Sequence, residues 1–108
     1  MQPTVVNAPP LSRFEVYYGG DLAGFAQYLD HENQRIFFHT EIGAEFGGKG
    51  LASTLIRAAL TATVESGLRV VPLCPFVKSF LDKHAEDEAF AASVDPVTES
   101  AVELVRAR

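Results

Sequence analysis

The chain has few of the features of a disulfide-rich, secreted or membrane-spanning protein. Cys74 is the only cysteine among 108 residues, which excludes an internal disulfide and a zinc cluster built from thiolates. No apolar run approaches the roughly 20 residues needed to cross a bilayer. Met1 to Thr4 lack the basic and apolar regions of a signal peptide. We therefore expect a cytoplasmic protein with no membrane partner.

Positive charge is also scarce. Nine Lys and Arg residues against fourteen Asp and Glu give a formal net charge of -5, and the basic residues form no dense stripe. Because binding to nucleic acid depends on neutralising phosphates, we expect no nucleic-acid partner. The remaining composition, 47% hydrophobic and 21% charged, is typical of one globular domain with a modest core.

The first part of the chain predicts three antiparallel strands. Residues 1–12 contain three prolines and no periodicity, so we interpret them as a flexible lead-in. Strands are predicted over 13–18, 22–29 and 35–42, where the residues alternate or are rich in β-branched and aromatic types. Short polar connections between them indicate an antiparallel meander.

The second part predicts helices around one more strand. Apolar residues at helical spacing predict a helix from Leu51, and Gly67 is suited to end it. A nearly unbroken apolar run predicts a strand over 69–74, followed by a helix over 76–84. The fold class is therefore α+β, with a mixed sheet in which the meander is followed by a right-handed βαβ unit and a short C-terminal helix.

The apolar density falls after Phe90, so we treat residues 91–108 as a tail beyond a domain that spans 13–90. Asp95 and Pro96 resemble an N-cap followed by proline at the first helical position, which predicts a tail helix. Its apolar stripe would consist of Val97, Ala101, Leu104 and Val105. This helix could pack back on the domain, fray, or pair with another chain, which leaves a homodimer open.

A glycine-rich stretch, residues 47–53, lies between the third strand and the first helix. Unpaired N–H groups and the helix dipole meet at such a helix start, which predicts a phosphate or pyrophosphate site. The alternative is a turn that only redirects the chain. The spacing from Gly43 to Lys49 fits a P-loop, but Gly50 stands where Mg²⁺ coordination requires Ser or Thr. No G-x-G-x-x-G dinucleotide fingerprint is present.

Together these features resemble the Gcn5-related N-acetyltransferase (GNAT) superfamily. Its acetyl-CoA motif, Gln/Arg-x-x-Gly-x-Gly/Ala, falls on this stretch, where Gly50 and Ala52 match and Gly47 replaces Gln or Arg. The blocks over 39–42, 48–50 and 71–76 are similar to small stand-alone GNAT-like proteins of the YjdJ type, which lack the usual helices over the acceptor.

The resemblance implies acetyl-CoA as cosubstrate and no metal. The glycine stretch would hold the CoA pyrophosphate, and the pantetheine arm would lie between the third strand and the strand over 69–74. The second helix would approach CoA, although core or surface roles are the alternatives for its residues. The implied CoA-binding residues are Ile42, Gly47, Gly48, Lys49, Gly50, Leu51, Ala52, Ser53, Phe80 and Lys83.

The resemblance also implies a catalytic role for Cys74, near the thioester. Cys74 could accept the acetyl group, or an amine could attack acetyl-CoA directly; a buried, inert cysteine is the third alternative. His39 and Glu41 share one face of their strand, and Thr40 takes the other. If the first face lines the cleft, Glu41 would accept a proton from the amine with help from His39. Otherwise Glu41 is a solvated carboxylate.

Two functions follow from these residues. The first is an N-acetyltransferase that acts on a small-molecule amine or an exposed protein amine. The second is a non-catalytic module that binds acetyl-CoA or CoA. The missing Gln or Arg at Gly47 and the missing acceptor-covering helices keep the second function open.

Overall fold

The computed structural model, which describes residues 2–108, contains one five-stranded sheet with helices on both faces. The strands are β1 (Thr4–Ala8), β2 (Arg13–Tyr18), β3 (Asp21–His31), β4 (Gln34–Ile42) and β5 (Arg69–Pro72). The helices are α1 (Leu51–Glu65), α2 (Pro75–Lys83), α3 (Glu88–Ala91) and α4 (Glu99–Arg106). The order in the sheet follows the chain, with β1 to β4 antiparallel and β5 parallel to β4. The predicted α+β fold with a mixed sheet is confirmed.

One side of the sheet, which we call the helix face, is covered by α1 and α2. Phe14 of β2 and Phe37 of β4 lie in one buried cluster with Leu55 and Ile56 of α1 and Val77 of α2. The apolar residues of α1 recur at the predicted helical spacing, so this helix buries one stripe and leaves the opposite stripe in solvent.

The other side, which we call the tail face, is partly covered by α4. Ile36 and Val71 are partners in the β4–β5 pair, and they form a second buried cluster with Ala101. Leu104 and Val105 pack against this cluster. The tail helix therefore packs back on its own domain, which is the first of the alternatives given for it.

The prediction of a flexible lead-in over residues 1–12 is wrong within the part that the structure describes. Thr4–Ala8 pairs with β2 along its whole length. The Tyr28 hydroxyl also donates a hydrogen bond to Asn7 Oδ1 at 2.8 Å. An edge strand needs partners on one side only, and the prolines at positions 3, 9 and 10 lie outside the paired segment.

The predicted start of the tail helix is also wrong. The helix begins at Glu99 rather than at Pro96, because the Thr98 hydroxyl caps it by accepting a backbone N–H at 3.2 Å. Val97 precedes the helix and is 43% exposed, so it does not belong to the buried stripe. The structure adds the unpredicted short helix α3, which is capped by the Asp87 side chain.

Asp95 connects the tail to the sheet instead of capping a helix. Its carboxylate accepts hydrogen bonds from Gln34 Nε2 at 2.7 Å and from Arg69 Nε at 2.9 Å. Its N–H donates to Val70 O at 2.8 Å, next to a parallel bridge between Val70 and Val94. The hydrogen bond from Gln34, followed by the contact with Arg69, lowers the pKa of the Asp95 carboxyl below its ordinary value of 3.8.

We expect Asp95→Asn to make the stability of the protein less dependent on acid pH. The pKa of Asp95 is lower in the folded chain than in the unfolded chain, so the carboxylate stabilises the fold fully above the ordinary value of 3.8. This contribution is lost as the pH falls through the lowered value. The urea midpoint, measured from about pH 6 downwards, should therefore fall more steeply for the wild type than for the variant.

Asp82→Asn is a matched control, because Asp82 is an exposed carboxylate 3.6 Å from Lys78. Its pH dependence should follow that of the wild type. Equal slopes for the wild type and Asp95→Asn would contradict the role given to Asp95.

Candidate functional site

The glycine-rich stretch forms a tight entry into α1. Gly48 and Gly50 have φ angles of 78° and 69°, in the left-handed region that glycine adopts without strain. Gly50 is the N-cap of α1, and it has no side chain that could accept from the first amides of the helix. A Cβ at either glycine would have no protein atom within 4 Å, so open space lies beside this backbone.

The backbone amides at this helix start are free to bind a ligand. Within residues 2–108, no amide from Gly48 to Ser53 donates a hydrogen bond to a protein acceptor. Gly47 differs, because its N–H donates to Ala44 O at 3.3 Å. Gly47 therefore does not contribute an amide to the predicted cradle. The remaining amides lie at the positive end of a 15-residue helix, a position suited to a phosphate group.

β4 and β5 separate after Phe37 and Pro72, where their pairing ends. Arg69 N–H donates towards the β4 side, to Asn33 O, and Val70 N–H donates to Ser93 O on the opposite side, so the later amides that alternate towards β4 are those of residues 71 and 73. The next amide, that of Leu73, donates to Val71 O at 3.1 Å and turns the chain away. From residue 38 to Ile42, this edge of β4 has no partner among the described strands. A gap therefore lies between the two strands.

The edge of β4 presents hydrogen-bonding groups to this gap. Gly43 N–H donates to Ala23 O on the β3 side at 2.8 Å. Because backbone groups alternate along a strand, those of Thr40 and Ile42 face the opposite edge, towards the gap. The Ile42 side chain packs against the buried cluster of the helix face. An extended ligand could pair with this edge as an added strand.

Cys74 lies at the inner end of the gap. Its N–H makes the last link to β4, to Phe37 O at 2.8 Å, and it is the N-cap residue of α2. The residue is 3% exposed, and its Sγ lies 3.4 Å from Thr40 Oγ1 across the gap. In the described part of the chain, Thr40 is the only side chain within hydrogen-bond distance of the thiol. A hydroxyl therefore contacts the sulfur, rather than a cation or an imidazole.

His39 and Glu41 point to the tail face. His39 Nε2 lies 3.2 Å from Glu41 Oε1, and the two side chains are 49% and 61% exposed. Thr40 points the other way, towards Cys74, as the strand alternation predicts. The structure therefore brings His39 and Glu41 to each other, but β4 lies between them and the thiol.

A groove runs between α1 and α2 from the free amides. Its larger cavity has a volume of about 760 Å³, and a smaller cavity of about 110 Å³ shares Ser53, Phe80 and His84 with it. Phe80 is 5% exposed, so it belongs to the core and also lines the groove. Lys83 lines the smaller cavity. The two residues of α2 that the sequence placed near CoA therefore both reach this groove.

Arg57 lines the groove and was missed by the sequence analysis. It lies one helical turn after Ser53, and this i,i+4 spacing is the only sign of it in the sequence. Its guanidinium lies 5.4 Å from the centre of the Phe80 ring, and its Nη2 lies 3.4 Å from His84 Nδ1. The His84 ring in turn packs against Phe80, with a centroid distance of 4.3 Å and a tilt of 34° between the ring planes.

Positive charge without a carboxylate partner is concentrated at this site. The cations that form ion pairs with Asp or Glu are Arg13, Arg35, Arg69, Lys78 and Arg106. Across residues 2–108, Lys49, Arg57 and Lys83 form no such pair, and all three lie on the glycine stretch or the groove. The other unpaired cation, Arg108, lies 4.2 Å from the Phe38 ring. In a chain of net charge -5, this local excess favours an anionic ligand.

Two further findings concern the described residues as a whole. None of the helices within residues 2–108 has the length and apolar character to span a membrane. In the same range, no three His, Cys, Asp or Glu side chains come together to hold a metal ion. The gap holds the Cys74 thiol and the Thr40 hydroxyl, whereas the helix start and the groove hold backbone amides and the cations Lys49, Arg57 and Lys83.

Comparison with known proteins identifies one family. Residues 13–90 match the family model described as GCN5-related N-acetyl-transferase, a range that includes the glycine stretch, the gap and Cys74. The fold is similar to the NMR solution structure of a GCN5-like protein from Staphylococcus aureus, with 18% identity and a TM-score of 0.63. That similarity covers 89% of this chain and 91% of the other. No curated protein matches the chain by sequence.

Proposed function

The chain belongs to the GCN5-related N-acetyltransferase family, and we propose from this that it transfers the acetyl group of acetyl-CoA to an amine. The observation that carries the proposal is the run of free amides from Gly48 to Ser53. Ser53, at the end of this run, lines the groove between α1 and α2, and the gap that ends at Cys74 lies along β4, the strand that precedes the run. A diphosphate bound to these amides would have its pantetheine arm in the gap and its nucleotide in the groove.

The glycine stretch suits a diphosphate. Gly48 and Gly50 leave space beside the backbone, so phosphate oxygens can approach the amides closely. Gly47 stands where the family motif has Gln or Arg, which removes one side-chain contact but none of the free amides. Lys49 supplies a nearby cation, and its Nζ lies 5.3 Å from the centre of the Tyr18 ring. Backbone therefore provides most of the expected affinity for the diphosphate.

The gap between β4 and β5 suits the pantetheine arm. That arm carries amide groups, which can hydrogen-bond to the free edge of β4 near Thr40 and Ile42 as an added strand does. The inner end of the gap, where Cys74 meets Thr40, is then where the thioester would be bound.

The protein has to orient the amine and remove one proton from its ammonium form before attack. Acetyl-CoA supplies a thioester, whose C–S bond breaks as the C–N bond to the amine forms, and the second proton that the nitrogen loses goes to the sulfur, so that CoA leaves as the thiol. We assign Glu41 to the amine side, where it accepts the proton directly or through water, and His39 pairs with it at 3.2 Å. Cys74 then contacts the thioester or accepts the acetyl group itself. The acceptor class is a small-molecule amine or an exposed protein amine.

A non-catalytic CoA-binding module is the second candidate function. It is favoured by the surroundings of Cys74, because among residues 2–108 neither a cation nor a base lies beside the thiol and only the N-terminus of α2 is left to stabilise a reactive thiolate. It is also favoured by the position of His39 and Glu41 on the far side of β4 from the thiol.

We expect Gly50→Val to abolish CoA binding and Gly67→Val to retain it. Both glycines have positive φ angles, 69° and 78°, and a Cβ at either has no protein atom within 4 Å. The two substitutions therefore impose similar backbone strain, but only Gly50 lies among the free amides. Titration calorimetry with CoA measures the difference, and thermal midpoints show whether both variants fold equally. Unchanged CoA affinity in Gly50→Val would show that the cradle lies elsewhere.

We expect Glu41→Gln to lower kcat by about 100-fold while the affinity for CoA stays the same, because a general base contributes at least this factor. The measurement is thiol release from acetyl-CoA with a panel of amines. Glu32→Gln is the control, because Glu32 is an exposed carboxylate in the turn before β4. Equal turnover in the wild type and Glu41→Gln would remove Glu41 from the mechanism.

We expect Cys74→Ala to leave CoA affinity within about threefold, since the diphosphate contacts are separate from the thiol. Complete loss of turnover with intact affinity would indicate that Cys74 accepts the acetyl group, and partial loss would indicate that it only contacts the thioester. A large loss of affinity would contradict the separation of the two sites. Thermal stabilisation by CoA without turnover on any amine would favour the binding module, and no stabilisation would contradict both functions.

A further inference from the structure

We propose that Arg57 forms a second phosphate site, separate from the amides at the start of α1, which binds the 3′-phosphate monoester of CoA. The inference rests on the proposed function, and it adds the property by which the protein would distinguish CoA from 3′-dephospho-CoA. It concerns the nucleotide end of the ligand, whereas the transfer chemistry lies at the other end.

The position of Arg57 suits a second phosphate. Arg57 follows Leu51 by six residues, so it lies about 9 Å along the helix axis from the free amides. It lines the larger cavity together with Ser53, which lies at the free-amide end. A ribose that carries phosphates at its 5′ and 3′ positions can span such a distance. One nucleotide could therefore engage the helix start and Arg57 at the same time.

The Arg57 side chain lies among three aromatic rings. The ring centres of Phe80 and Phe90 lie 5.4 and 5.9 Å from the guanidinium carbon. The His84 Nδ1 atom lies 3.4 Å from Arg57 Nη2, and since an arginine can only donate, this nitrogen is the acceptor. Arginine has five N–H donors, so the contact with His84 leaves most of them for a ligand.

The charge around Arg57 favours a phosphate. Lys83 lines the adjoining cavity, and in residues 2–108 neither cation forms an ion pair. The acidic residue of the same cavity, Glu65, lies two helical turns beyond Arg57. A further cavity beside α3, which Arg57 also lines, carries Glu65 and Asp87, and the Asp87 carboxylate caps α3 by accepting from Phe90 N–H. The planar guanidinium can bind two oxygens of one phosphate, which makes it a stronger partner for a doubly charged monoester than a single ammonium.

Titration calorimetry with CoA and with 3′-dephospho-CoA tests the inference on the full chain. We expect the wild type to prefer CoA by about tenfold, since a hydrogen bond to a charged group contributes at least this much. Arg57→Gln should remove that preference by weakening CoA alone, with the affinity for 3′-dephospho-CoA changed less than twofold. Arg106→Gln, which removes a cation from α4, is the control and should keep the wild-type preference.

Arg57→Met is the second variant, because its stem can remain on the aromatic rings if the glutamine variant is unstable. Equal affinity of the wild type for both ligands would overturn the inference, and so would an equal loss for both ligands in Arg57→Gln and Arg57→Met. In either case, binding of both ligands would leave the proposed function intact. If neither ligand binds the wild type, the proposed function fails and this inference fails with it.

Discussion

The parting of β4 and β5 is the constraint on which the candidate site depends. The parallel pair extends only to Phe37 and Pro72, because the Leu73 amide, the next that would alternate towards β4, bonds back to Val71 O in its own strand. One further link, from Cys74 N–H to Phe37 O, fixes the inner end of the gap and places the thiol there. A ladder that continued to Ile42 would fill the space in which the proposed pantetheine arm would be bound.

The start of α1 forms the second half of the site, and it would bind a ligand mainly through electrostatic interactions. An N-cap glycine leaves the first amides without a side-chain partner, which is unfavourable unless water or a ligand satisfies them. The unpaired cations Lys49, Arg57 and Lys83 lie around the same region, although the chain as a whole is acidic. Elsewhere most cations lie beside a carboxylate. The uneven pairing is consistent with an anion as the missing partner, which agrees with the proposed CoA-binding role.

The strands β2 to β4, the helix α1 and the glycine stretch could be predicted, because their signals are local. Alternation and helical spacing depend on one segment at a time, and the positive φ angles of Gly48 and Gly50 reflect the residue type itself. The strand β1 could not be predicted, because its pairing depends on the exposed edge of β2. The start of α4 was misplaced because Asp95 bonds to Gln34 and Arg69 instead of capping the helix, and both partners are distant in sequence.

The sequence by itself determined the periodicity of the elements, the free helix start and the position of the only thiol at a helix N-cap. Only the tertiary structure decided which residues meet. Alternation separates Thr40 from His39 and Glu41, but the covering of one sheet face by α1 and α2 decides that Thr40 contacts Cys74. In the same way, Arg57 becomes a groove residue only because α2 brings Phe80 and His84 beside it. A strand or helix has two sides that its own residues define, whereas the packing of distant segments decides what each side faces.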